Sequence, residues 1–331
     1  MDINNEIKKK GFLDIDLPDN LDLKVEINKL KAEKNAIILG HFYQTDDIQE
    51  ISDILGDSLA LAQEASKTKA DLIVFAGVHF MAETAKLVNP TKKVVLPDLN
   101  AGCSLADSAP ADEFEKFVKA HPDHTVITYI NSSTEVKALT DVCCTSSNAV
   151  HIVNSFPKDA KLIFAPDKNL GNYINKITGR NMLLWEGACH VHKEFSIPRI
   201  IELKNQYPDA KIIAHPECQN DLLIMAEHVG STSSLLNYTK KDTGDQYIVA
   251  TESGILHQMR KYSPNKHFIP APPEDSTCAC NDCKFMKMNT LRKIYLAMKY
   301  EVPEITLDED LRKRAAKPIE KMLEISRKLG I

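Results

Sequence analysis

The strongest constraint on the fold is an internal repeat, because one order of secondary structure occurs three times along the chain. Each unit predicts a buried strand, two helical pieces, a strand, a helix and a short final strand. The first strands end at His41, Tyr129 and His215, which places the units 88 and 86 residues apart. A repeat of this size predicts three similar α/β units around a rough threefold axis.

The cysteine-containing loops divide the chain into these units. We expect the first α/β repeat to span residues 1–106, the second residues 107–192 and the third residues 193–294. Two helices are predicted at the C-terminal end of the chain. We expect the segment 295–331, which contains most of their length, to pack on the first repeat.

Three hydroxyl residues occur in register with the repeat. Ser58, Ser146 and Thr232 each lie 17 residues beyond a first-strand end, at a predicted helix start. We expect them to be N-cap residues of helices that point toward a common centre, because equivalent loops surround a threefold axis. Helix N-termini present free N–H groups and partial positive charge, so the arrangement predicts a small substrate with several anionic groups.

One cysteine closes each repeat unit, and the three lie 62, 60 and 68 residues beyond the first-strand ends, at Cys103, Cys189 and Cys283. In a chain that looks intracellular, eight cysteines favour thiolates over disulfides. Three sulfurs around one cavity would hold a [4Fe–4S] cluster with one iron open as a Lewis acid, or a zinc ion with one open position. Cys278 and Cys280 either modify such a centre, form a redox-sensitive pair or are spare thiols.

Other candidate ligands lie outside the repeat register. Cys143, Cys144 and Cys218 have no equivalents in the other repeats, so we expect them to be structural thiols. His190 and His192 follow the second repeat cysteine closely. For these two histidines, metal binding and a solvated loop are equally supported by the sequence.

Titratable side chains gather at the predicted strand ends. His41 and His215 occupy equivalent positions in the first and third repeats, which favours a functional role over ordinary packing. Glu217, two residues beyond His215, suits a general base, and Tyr129 suits a general acid or a proton relay. Asn131 lies at the same strand end as Tyr129. The sequence therefore predicts proton-transfer chemistry at the centre of the three repeats.

Composition excludes several classes of function. A hydrophobic fraction of 43% with 26% charged residues describes a soluble globular protein, and a net charge of -5 does not favour nucleic acid or an anionic membrane as a partner. No apolar run approaches the length of a membrane span, and the polar start of the chain has no signal-peptide core. We therefore expect a cytoplasmic protein.

The chain resembles quinolinate synthase, the iron–sulfur enzyme family of bacterial and archaeal NAD biosynthesis. The resemblance spans nearly the whole chain and rests on motifs that occur in one order: 40–44 (GHFYQ), 56–58 (GDS), 97–104 (PDLNAGCS), 129–132 (YINS), 144–149 (CTSSNA), 166–171 (PDKNLG), 185–192 (WEGACHVH), 215–218 (HPEC), 230–233 (GSTS) and 283–290 (CKFMKMNT). It implies three α/β/α sandwich domains around a pseudo-threefold axis, in agreement with the repeat.

The resemblance also implies an activity and a site. The activity is a transferase-type condensation of iminoaspartate (iminosuccinate) with dihydroxyacetone phosphate, giving quinolinate, phosphate and water. A [4Fe–4S] cluster on Cys103, Cys189 and Cys283 would use its open iron in a dehydration. The implied substrate contacts are His41, Ser58, Tyr129, Asn131, Ser146, His215, Glu217 and Thr232. An oxidase or dehydrogenase that produces iminoaspartate is the implied functional partner.

Two other functions are compatible with the cysteine pattern. One is a zinc-dependent hydrolase or aldolase that uses the same three sulfurs, which would be colourless. The other is a non-catalytic iron–sulfur carrier or sensor, which would need no polar substrate cavity. The ring of hydroxyls with His215 and Glu217 argues against a simple carrier.

Overall fold

The computed structural model describes residues 3–274 and 282–331, so Cys278 and Cys280 lie outside the described residues. Its framework is three parallel sheets of four strands each. The first sheet has the order β2-β1-β3-β4 and consists of β1 (Ala36–His41), β2 (Ile54–Gly56), β3 (Leu72–Ala76) and β4 (Lys93–Val95). The second has the order β6-β5-β7-β8 and consists of β5 (Thr125–Tyr129), β6 (Val142–Cys144), β7 (Leu162–Ala165) and β8 (Leu183–Leu184). The third has the order β10-β9-β11-β12 and consists of β9 (Lys211–Ala214), β10 (His228–Val229), β11 (Gln246–Ala250) and β12 (His267–Pro270).

Helices connect the strands of every sheet. Up to the end of the first sheet they are α1 (Ile3–Lys10), α2 (Leu23–Glu33), α3 (Asp46–Ile51), α4 (Ser58–Lys67) and α5 (His79–Val88). Around the second sheet they are α6 (Ser104–Asp107), α7 (Ala111–Lys119), α8 (Thr134–Lys137), α9 (Ala149–Asn154) and α10 (Lys168–Thr178). Around the third they are α11 (His190–Lys193), α12 (Ile197–Gln206), α13 (Asn220–Met225), α14 (Thr232–Lys241) and α15 (Ile255–Tyr262). A 3-10 turn (Met286–Met288), α16 (Leu291–Tyr300) and α17 (Glu309–Leu329) follow.

The predicted three-unit α/β architecture is confirmed, with one correction inside each unit. The sequence predicted two successive helical pieces after the first strand, whereas the structure places a short edge strand between them. These edge strands are β2, β6 and β10, each only two or three residues long. Ile51 and Leu55 lie four residues apart, so the apolar residues of β2 continued the helical spacing of α3. Strands this short are too brief to show the alternation that identifies a strand.

The central strands are hydrophobic because helices cover both faces of each sheet. All five residues of β3 are buried, as are all four of β7. The two C-terminal helices pack on the outside of this framework: α16 lies against α2, and α17 lies against α5, α8 and β6. Asn148 Nδ2 donates a hydrogen bond of 3.0 Å to Ser326 Oγ of α17. The domain boundaries at residues 106, 192 and 294 stay a prediction.

Three equivalent loops meet where the repeats converge. Ser147 Oγ, from the second repeat, donates to Asp57 Oδ2 of the first at 2.8 Å and lies 2.8 Å from Ser231 Oγ of the third. Asp57 and Ser231 are also the N-caps of α4 and α14. One hydroxyl therefore links the helix starts of all three repeats.

Replacing Ser147 by alanine should lower the free energy of unfolding by about 2 kcal/mol. The variant leaves one oxygen of the buried Asp57 carboxylate without its donor, and hydrogen bonds to charged groups contribute roughly 1.5–3 kcal/mol. Urea unfolding followed by circular dichroism measures the change. Ser155→Ala, at an exposed serine, is the matched control and should change stability by less than about 0.5 kcal/mol. Equal stability of the two variants would show that the Ser147 link contributes nothing.

None of the helices within residues 3–274 and 282–331 combines the length and the apolar character needed to cross a lipid bilayer.

Candidate functional site

One cavity at the centre of the three repeats contains every site residue that the sequence predicted. Its space is about 690 Å³, including the open mouth. The predicted residues in its lining are His41, Ser58, Cys103, Tyr129, Asn131, Ser146, Cys189, His215, Glu217, Thr232 and Cys283. They come from all three repeats, so the repeat register placed them together correctly. The roles of these residues in binding and catalysis stay predictions.

Backbone hydrogen bonds orient the two strand-end histidines in the same way. The Tyr43 N–H donates to His41 Nδ1 at 3.1 Å, and the Glu217 N–H donates to His215 Nδ1 at 3.4 Å. Each neutral ring therefore carries its proton on Nε2, and His215 Nε2 lies 3.2 Å from Ser146 Oγ. Burial lowers the pKa of His41 to about 4 and that of His215 to about 3. Both rings are therefore neutral at neutral pH and offer one N–H donor.

His41 should make the stability of the protein depend on pH. The unfolded chain binds a proton at this residue below pH 6.5, whereas burial keeps the folded residue neutral until about pH 4. Acid between these values therefore favours the unfolded state. Between pH 7 and pH 5 the wild type should lose about 2 kcal/mol more unfolding free energy than His41→Asn. Urea unfolding of both proteins at the two pH values tests this, and parallel losses would contradict it.

Glu217 contacts the side chains of Tyr129 and His192 in the cavity. It is 3% exposed, and its Oε1 accepts a hydrogen bond of 2.7 Å from the Tyr129 hydroxyl. Its Oε2 lies 3.1 Å from His192 Nδ1. Burial by itself raises the pKa of Glu217, but interactions with His192 and the Tyr129 hydroxyl outweigh burial and hold it below its usual value. Glu217 is therefore ionised at neutral pH while shielded from water.

A neighbouring carboxyl group shows the opposite behaviour. Burial, and then the charge of Glu217, raise the pKa of Asp167 well above its usual value. Asp167 caps α10 and accepts the Cys189 N–H at 3.2 Å. A side chain at Gly187 would place its Cβ 2.5 Å from the Pro166 carbonyl oxygen, so only glycine allows this close approach. These contacts fix the loop that presents Cys189.

Two of the three hydroxyl residues begin helices, but none of them is an N-cap, which corrects the sequence prediction. The caps of α4 and α14 are Asp57 and Ser231, so Ser58 and Thr232 are the first helical residues instead. In the second repeat the Asn148 side chain accepts the Thr145 N–H at 2.6 Å, and α9 begins only at Ala149. Ser146 therefore lies in a turn. The N-termini of α4 and α14, each ten residues long, remain at the cavity.

The structure adds cavity residues that the sequence analysis did not select. Tyr43 bonds Thr232 Oγ1 at 2.8 Å and Thr251 Oγ1 at 2.6 Å, and Thr251 Oγ1 lies 3.0 Å from His192 Nε2. His192 is 3% exposed, so the solvated-loop alternative for it is wrong. The repeat register contained a signal for Tyr43. It follows His41 by two residues, as Asn131 follows Tyr129 and Glu217 follows His215.

Three thiols from three repeats form another part of the wall. Burial raises the pKa of Cys103 to about 12, and it also raises the pKa of Cys189 and Cys283. The negative charges of these sulfurs raise one another's pKa, so the thiolates require a cationic centre. Cys283 is anchored by its N–H, which donates to buried Glu252 at 3.1 Å, and Glu252 pairs with Lys287 at 2.8 Å.

The spacing of these sulfurs separates the two metal alternatives. A single tetrahedral zinc ion would hold thiolate sulfurs about 3.8 Å apart, given Zn–S bonds of about 2.3 Å. Among the described residues, the three sulfurs are not a group in which every pair lies within 4.8 Å. A donor set of three separated thiols from three loops fits a polynuclear iron–sulfur cluster better than one zinc ion.

Comparison with known proteins gives one consistent family. The family model described as "Quinolinate synthetase A protein" matches residues 25–324. The chain is 58% identical to the quinolinate synthase of Chloroherpeton thalassium over 93% of this chain and 95% of the relative. It is 59% identical to that of Thermosynechococcus vestitus over 92% and 96% of the two chains. It is 57% identical to the quinolinate synthase of Microcystis aeruginosa over 94% of this chain and 96% of the relative.

Proposed function

Because the chain belongs to the quinolinate synthase family, we propose that it condenses iminoaspartate with dihydroxyacetone phosphate. The products are quinolinate, phosphate and two molecules of water. The observation that carries the proposal is the single cavity in which three repeat cysteines face Glu217, Tyr129 and His215. A carrier of clusters would need the sulfurs but not the buried acid–base groups.

Cys103, Cys189 and Cys283 would hold a [4Fe–4S] cluster in this cavity. Such a cluster supplies an open iron that acts as a Lewis acid and helps a substrate hydroxyl leave as water. The separation of the three sulfurs supports this assignment over a single ion.

Neutral donors bind the anionic substrates. No lysine or arginine is among the described residues that line the cavity, although both substrates carry negative charge. The N–H groups at the starts of α4 and α14 and the hydroxyls of Ser58, Ser146 and Thr232 take this role. Asn131 Oδ1 is buried without a hydrogen-bond partner among the described residues, so it can accept a hydrogen bond from a substrate.

Glu217 is the general base. It is ionised and shielded, and the Tyr129 hydroxyl can return a proton at 2.7 Å. His215 Nε2–H and His41 Nε2–H remain neutral donors for carbonyl and phosphate oxygens. This assignment places proton transfer for tautomerisation and imine formation on Glu217 and His215, while His41 and Tyr129 assist the sugar-phosphate end.

The deciding experiment is an anaerobic assay of purified, cluster-loaded protein with both substrates. Iminoaspartate hydrolyses in water, so an aspartate-oxidising enzyme, an oxidase or a dehydrogenase, supplies it in the assay as we propose that it does in the cell. Quinolinate should form only when dihydroxyacetone phosphate is also present, as measured by chromatography. Absence of quinolinate from protein with a full complement of iron and sulfide would refute the proposal.

A further inference from the structure

A second metal-binding arrangement shares one sulfur with the cluster site. Ligand atoms of Cys189, His192 and Glu217 all lie within 4.8 Å of one another. Among the residues that the structure describes, no other group of three potential ligands is this compact. Thiolate, imidazole and carboxylate are the three ligand types that zinc takes in proteins.

The His192 ring faces the Glu217 carboxylate within this group. When the Thr251 hydroxyl donates to Nε2, the neutral ring carries its proton on Nδ1. That nitrogen is buried and lies 3.1 Å from Glu217 Oε2. A zinc ion would displace the proton between these two atoms and bind both of them.

Outer contacts hold each of the three ligands in place. Thr251 holds the far nitrogen of His192, Tyr129 holds the second oxygen of Glu217, and Asp167 accepts the Cys189 N–H. Such outer hydrogen bonds fix the orientation of ligands in protein zinc sites.

We propose that the cluster-free protein binds one zinc ion through Cys189, His192 and Glu217, and that this ion excludes the iron–sulfur cluster. The exclusion follows because both centres require the sulfur of Cys189. The same ion would bind the Glu217 carboxylate, so zinc-loaded protein would lack the cluster, and Glu217 could not act as the general base. The statement that zinc excludes the cluster rests on the proposed function, because it assumes that the cluster binds Cys189. Zinc binding itself does not depend on that assumption.

Two single variants separate this site from a three-cysteine zinc site. Cluster-free protein, treated with a chelator and kept anaerobic, is titrated with zinc against a competing chromophoric chelator. His192→Ala should weaken zinc binding at least about 100-fold while it keeps iron and sulfide content after cluster reconstitution. Cys283→Ser should lose the cluster but keep wild-type zinc affinity. Cys189→Ser should lose both.

The opposite pattern would overturn the inference. Zinc binding that survives His192→Ala and disappears in Cys283→Ser would place the ion on the three cysteines. X-ray absorption at the zinc edge gives an independent readout, with one sulfur and two or three lighter ligands expected, and three sulfurs contradicting. The iron and sulfide content of His192→Ala shows that the variant is folded.

The exclusion has its own measurement. One equivalent of zinc added before reconstitution should reduce cluster formation in the wild type at least about tenfold, and should leave His192→Ala unaffected. Equal cluster formation in zinc-treated and untreated wild type would contradict the exclusion. The titration measures no quinolinate, so its outcome is independent of the outcome of the activity assay.

Discussion

Replacement of Cys103 by serine is expected to remove the iron–sulfur cluster and quinolinate formation together. Cys103 supplies one of the three sulfurs in the cavity wall, and a serine hydroxyl is a poor substitute for a soft thiolate. Loss of the Lewis acid should lower turnover at least about 100-fold, since such stabilisation contributes several kcal/mol. Iron and sulfide analysis together with the quinolinate assay measures both effects on one preparation.

The control for this variant is a cysteine away from the cavity. Cys143 lies in β6, is fully buried and is not in the cavity lining. Cys143→Ala should retain the cluster and turnover, with a loss of about 1 kcal/mol in stability. A Cys103→Ser protein that contains no iron yet keeps its turnover would remove the Lewis-acid step from the proposal.

Replacement of Glu217 by glutamine is expected to lower turnover while the protein keeps its iron–sulfur cluster. The amide keeps the size of the carboxylate and can still accept the Tyr129 hydrogen bond, but it cannot take a proton. Cluster content should stay at the wild-type level, because Glu217 is not among the three sulfur ligands. Turnover should fall about 10²–10⁴-fold, the usual contribution of a positioned general base.

An exposed glutamate outside the cavity lining tests whether charge alone explains the effect. Glu186, 82% exposed at its side chain, lies outside the cavity, so Glu186→Gln changes the net charge equally. It should leave turnover unchanged. Normal turnover in Glu217→Gln would reassign the base to another cavity residue, and loss of iron from that variant would indicate a role in cluster retention.

The cavity could be predicted from the sequence because the repeat register carries three-dimensional information. His41 and Tyr129 end equivalent strands and His215 directly follows the third, and equivalent strand ends converge at a threefold axis. The spacing of the residues was therefore enough to predict that the three cysteines and the three hydroxyl residues share one cavity. Family resemblance added the substrates and the cluster type, which spacing cannot supply.

Side-chain contacts between repeats were beyond the reach of the sequence. The Tyr129–Glu217 hydrogen bond joins the second repeat to the third, and the Tyr43–Thr251 bond joins the first to the third. Their geometry depends on how the sheets pack against one another. The orientation of His192 depends on the same packing, so a pattern of neighbouring residues could not distinguish it from a solvated histidine.

The sequence prediction of local structure was wrong in short segments, where the residue pattern is weak. The edge strands β2, β6 and β10 are too short to show an alternating pattern. The cap positions were misplaced by one residue because Asp57 and Ser58 are adjacent polar residues, and both residue types cap helices. In the second repeat, Asn148 bonds back to Thr145 and delays the start of α9.

We expect one sulfur from each repeat to bind the same iron–sulfur cluster. Anomalous diffraction at the iron edge, from crystals grown without oxygen, tests it directly. We expect a four-iron density in the cavity, bonded to the sulfurs of Cys103, Cys189 and Cys283, with the fourth iron free of any protein ligand. Iron bonded to other cysteines, or a fourth protein ligand on the cluster, would contradict it.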